Sequence, residues 1–168
     1  MESSDDETKK ILKKIERLML ESKKLDMEGL RRQQVAQMKF YGWLIEWIQS
    51  QRDKLKQKKK IGNWLTLLQR VTDLRTQVMV EYLSMTRYGI EHLLEESMMR
   101  SPVRKMIEIY NALKQDLSES LYEEDSKRYN LPHIEGTFTD PLPKLSELNV
   151  CLGQLLAHAF GKLYEYIS

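Results

Sequence analysis

The sequence predicts an all-α protein: an antiparallel bundle of four to five helices with one long central helix of coiled-coil character. Three observations carry that expectation. Apolar residues recur at steps of three and four along nearly the whole 168-residue chain, which is the period of an amphipathic helix. Only 7 Gly and 4 Pro are present, too few for a fold of many short strands joined by tight turns. Hydrophobic residues make up 41% and charged residues 31%, a balance that suits a packed core in water rather than a disordered chain. A chain of this length supports one core, so a single helical domain is expected over residues 1–168.

Each element follows from its own stripe. Ile11, Ile15, Leu18 and Leu25 define the first helix, with Leu12 and Met19 beside them, and Asp5 or Asp6 stands ahead of it as an N-cap. Residues 1–8 are expected to form a mobile acidic tail. Gly29, Arg31 and Arg32 interrupt the stripe, which places a break between about residues 26 and 33. A second stripe follows in Met38, Tyr41, Ile45, Ile48 and Leu55. Phe40, Trp43, Leu44 and Trp47 widen it until residues 40–48 are apolar on several sides. Ile61-Gly62-Asn63 then reads as a turn, with Gly after one helix and Asn ahead of the next.

The third stripe is the longest: Trp64, Leu67, Val71, Leu74, Val78, Met85, Tyr88 and His92 share one register. No proline falls between residues 61 and 101, so a helix of about 30 residues and about 45 Å fits. Ser101-Pro102 reads as the next helix start, with Ser as N-cap and Pro in the first turn. Val103, Met106, Ile107, Tyr110, Leu113, Leu117 and Leu121 continue that helix. Residues 129–143 hold three of the four prolines and are expected to be the one long loop. Within it, Thr137, Phe138 and Thr139 have strand propensity. The fifth stripe runs through Leu145, Leu148, Leu152, Leu155, Leu156, Ala159, Phe160, Leu163 and Ile167.

Catalytic patterns are thin. The chain has no glycine-rich phosphate loop, no G-x-S-x-G, no H-E-x-x-H and no E-x-x-H. His92, His133 and His158 fall in different elements, and the single Cys151 rules out the close Cys/His spacing of a structural zinc site. Cys151 lies between Val150 and Leu152, and His158, seven residues on, stands about two helical turns away. A small core thiol is the simpler account. The expectation is therefore a non-enzymatic protein without cofactor or metal. The acidic first residues are unlike a signal peptide, and no apolar run approaches the ~20 residues of a membrane span. With one cysteine, these features lead us to expect a soluble intracellular protein of the cytoplasm or nucleus.

Two functional readings remain. In the first, the chain is a subunit or adaptor that associates with itself or with other helical proteins. Phe40, Trp43, Leu44, Trp47 and Ile48, with Leu74 and Val78 on the third helix, are the expected contact residues, because these helices carry more apolar surface than one inward stripe requires. In the second, the chain is a small viral or chromatin component that holds a phosphate backbone, or another anionic surface, through Arg52, Lys54, Lys56, Lys58, Lys59 and Lys60. Charge is unevenly placed in support of this: residues 1–60 carry a net +6, residues 61–100 −1 and residues 101–168 −3. The plain alternative for the basic segment is a solvated helix C-terminus, where cations complement the dipole.

Overall fold

The structure is a computed structural model that describes residues 4–22, 30–51, 58–88, 96–116 and 131–168. These residues are all-α. Five helices follow in order: α1 (Ser4–Ser22), α2 (Leu30–Ser50), α3 (Lys58–Tyr88), α4 (Glu96–Asp116) and α5 (Pro141–Ile167). No strand occurs among the described residues, and Thr137 and Thr139 lie exposed in irregular chain. None of these helices is long and apolar enough to cross a membrane.

The stripes become buried faces. Ile11, Ile15 and Leu18 of α1 are buried, as are Trp64, Leu67, Val71, Leu74, Val78 and Met85 along α3. The same holds for Val103, Met106, Ile107, Tyr110 and Leu113 of α4, and for α5 from Leu145 to Ile167. At about 1.5–3 kcal/mol per fully buried large aliphatic or aromatic side chain, these faces are the main favourable contribution to folding.

The chain divides into two compact units, one of residues 1–72 and 153–168, the other of residues 73–152. In the first unit α1 packs against α2. The Tyr41 ring stacks on Phe160 of α5 with centroids 6.2 Å apart, and Trp64 tilts against Tyr166 at 6.4 Å. A Cβ on Gly161 would stand 3.4 Å from Met19 Sδ, so α1 and α5 approach closely there. Three polar side chains inside this unit are linked: the Tyr41 hydroxyl lies 2.9 Å from Thr72 Oγ1, which in turn donates to Gln37 Oε1 at 3.5 Å.

In the second unit the irregular stretch 131–140 is fastened to α4. Leu131 and Ile134 are buried. Asn111 grips the backbone of Ile134 twice, donating from Nδ2 to its carbonyl (2.9 Å) and accepting its N–H at Oδ1 (3.2 Å). Tyr110 donates to the Pro132 carbonyl at 2.9 Å. The Arg104 guanidinium sits 6.0 Å from the Phe138 ring. Arg75 of α3, 1% exposed, donates from Nε to Asn149 Oδ1 of α5 at 2.9 Å. Burial lowers its pKa to about 10.

Several boundaries differ from the sequence reading. The acidic stretch expected as a tail is helical from Ser4 onward, since acidic residues are favourable in a first turn. Ile61-Gly62-Asn63 is no turn: α3 runs through it from Lys58, because Ile61 and Trp64 are both buried and extend the stripe one turn upstream. Likewise Ser101-Pro102 is not a helix start. α4 begins at Glu96 and carries the exposed Pro102 inside it, with the buried run from Val103 to Leu113 holding the helix despite the lost backbone bond. The expected loop ends at Asp140 rather than 143. Asp140 accepts the Leu142 N–H at 3.1 Å as N-cap, and Pro141 occupies the first helical position, where its missing N–H costs nothing. Leu25, Leu55, His92, Leu117, Leu121 and residues 129–130 lie outside the described residues, as does most of the break expected near Gly29.

Candidate functional site

The expected contact residues separate into two groups. Phe40, Leu44, Trp47 and Ile48 of α2, and Leu74 and Val78 of α3, are buried within the chain itself. Trp43 is 43% exposed. The inward face of α2 is made by Gln37, Phe40, Tyr41, Leu44, Trp47 and Ile48, so Met38, expected in that stripe, points instead to water at 46% exposure. Trp43 does not hang loose: its ring tilts against that of buried Phe40 with centroids 5.7 Å apart. Beside it the Trp47 indole N–H is buried and has no hydrogen-bond partner.

The outer side of α2 therefore mixes apolar, charged and small residues. Val35, Lys39, Gly42, Glu46 and Gln49 are all exposed and follow one another at steps of four and three along one line. Met38 and Trp43 flank that line on opposite sides. A Cβ on Gly42 would meet nothing within 4 Å. Among the described residues nothing packs closely enough to require glycine there, although glycine in a helix interior costs about 0.5–1 kcal/mol relative to alanine. Comparable apolar exposures occur at Leu20 of α1 and Val80 of α3, and smaller ones at Leu83 of α3 and Ile109 of α4.

The basic segment is only partly described. Arg52, Lys54 and Lys56 lie outside the described residues, whereas Lys58, Lys59 and Lys60 form the first turn of α3. This reverses the expected setting at a helix C-terminus. Cations at a helix N-terminus oppose the macrodipole by about 0.3–1 kcal/mol each, and α3 has no acidic residue in its first turn to offset them. The first unit also brings α5 to this end. Lys60 Nζ lies 5.7 Å from the centroid of the half-buried Tyr166 ring, and Lys162 Nζ lies 6.0 Å from it while pairing with Glu165 Oε2 at 3.1 Å. Sequence spacing of about a hundred residues hid this Lys–Tyr–Lys grouping.

Chemistry elsewhere is inward-looking. Cys151 is buried, and the Tyr110 hydroxyl near it gives its proton to the Pro132 carbonyl. Burial, with a smaller contribution from Glu147, pushes the Cys151 pKa up, and burial raises that of Tyr110 as well. A thiol so placed stays protonated and is a poor nucleophile. Among the described residues no group of three His, Cys, Asp or Glu side chains is arranged to hold a metal ion. The chain matches no protein-family model, no curated protein and no solved structure.

Proposed function

We propose that the chain is a non-enzymatic association protein, a subunit or adaptor that joins helical partners through exposed apolar helix faces. The observation that supports this is the outer side of α2, where Val35 (55% exposed), Met38 and Trp43 stand in water around a glycine the fold does not require. Single exposed apolar residues are ordinary, but a tryptophan held on a buried phenylalanine, with Val35 and Met38 exposed on the same helix, is a preformed anchor. A photo-crosslinking residue at Met38 should give discrete covalent adducts in cells that express the protein. The same residue at Gln77, an exposed polar position on α3, should give none. Absence of discrete adducts at Met38 would remove the reading.

A second reading, contact with a phosphate backbone, is favoured by one observation: three lysines crowd a helix N-terminus where they oppose the dipole, with Lys162 and Tyr166 alongside. An anion bound there would relieve both the mutual repulsion and the unfavourable dipole. Duplex binding with three such contacts should weaken with salt at a log–log slope near about −3, and changing Lys58, Lys59 and Lys60 to Gln should flatten it. If wild-type binding to DNA, RNA or anionic vesicles does not depend on salt, this reading fails.

A further inference from the structure

From the outer side of α2 we infer that the partner seated on it is a second copy of the same chain, laid antiparallel across a two-fold axis between residues 42 and 43. The inference rests on the association reading above and adds the partner, the register and the charges that set it. A two-fold interface demands self-complementarity: if residue i meets j, then j meets i. The exposed line of α2 has that property. Lys39 and Glu46 lie equally far from a centre between residues 42 and 43, each about 5 Å along the helix axis. An antiparallel copy therefore sets Lys39 opposite Glu46 and Glu46 opposite Lys39, two ion pairs of matched sign above and below the centre. Neither side chain has an ion-pair partner among the described residues.

The centre of this arrangement accounts for two features the fold leaves without a reason. Gly42 comes to face Gly42 of the second copy, and without Cβ atoms the two backbones can approach closely. Trp43 lies on the same side of both helices, so the two indole rings meet across the axis, each still resting on its own Phe40. A parallel pair would instead place Lys39 beside Lys39 and Glu46 beside Glu46, which like-charge repulsion disfavours. One helix from each copy buries an area at or below the low end of specific interfaces, about 1,200 Å² in total, so a dissociation constant in the micromolar range is expected.

Sedimentation equilibrium on the full chain tests this. The wild type should dimerise at micromolar concentration. Lys39→Glu alone and Glu46→Lys alone should each weaken dimerisation about tenfold or more, because each replaces two attractions with two repulsions. An equimolar mixture of the two variants should recover it as a heterodimer, since every pair is again of opposite sign. Both positions are exposed, and unchanged circular dichroism will show that the variants fold. A wild type that stays monomeric overturns the inference. Crosslinking at Met38 to a different protein would then leave the association reading standing, and its absence would end both. A dimer that neither variant disturbs, or a mixture that fails to recover, also overturns the inference, because another face or register would then hold the copies together.

Discussion

Asn111 shows how one side chain substitutes for secondary structure. Its amide meets both backbone groups of Ile134, much as a neighbouring strand would, and so this buried residue, in a stretch without helix or ladder, has its backbone polar groups paired. Asn111→Ala removes both bonds at once and leaves the Ile134 N–H and C=O unpaired. A loss of about 1–3 kcal/mol in urea unfolding is expected, larger than for an exposed asparagine. Nothing in the sequence distinguished Asn111 from its neighbours. Periodicity marks the apolar positions of α4 and is silent about what the polar ones reach. Trp47 is the reverse case. Its burial was legible from the stripe, but its unpartnered indole N–H depends on neighbours distant in sequence.

At the level of the helices, punctuation was the least legible feature. Gly62-Asn63 and Ser101-Pro102 carry turn and cap residues, yet each lies inside a helix, with Ile61 and Trp64 buried beside the first pair and Val103 buried after the second. Tertiary burial outweighs local preference there, so the local cost remains as a reserve of stability. Gly62→Ala places a methyl in open space within α3 and should raise stability by about 0.5–1 kcal/mol. Pro102→Ala restores a backbone donor in α4 and should raise it by more, up to about 3 kcal/mol. Thermal melting of the two variants checks both. Melting temperatures no higher than wild type would mean that these residues are fitted to a constraint the helices do not reveal. Asp140-Pro141 is the counterexample, a cap-and-proline pair that does start a helix: Asp140 accepts the Leu142 N–H, and the chain before it is irregular.

For the whole chain, the all-α class and four of the five buried faces could be read directly, because a stripe at period 3.6 is written locally. The second stripe was misplaced by one edge, which turned Met38 outward and left Trp43 as the one expected contact residue that meets water. A band apolar on several sides does not say which edge the rest of the chain will cover. The lysine cluster beside Tyr166 was equally hidden, since it joins Lys60 to Lys162 and Tyr166, far apart in sequence.

Cys151 gives the molecule a clock of its own. The chain has one thiol, it is sealed inside α5, and burial holds it in the protonated form. A thiol-directed reagent can reach it only during moments when that part of the chain opens. When reclosing is fast relative to modification, the ratio of the native labelling rate to that of the unfolded chain equals the fraction of time spent open. The free energy of opening can thus be followed at a single natural atom, under native conditions and without an engineered cysteine.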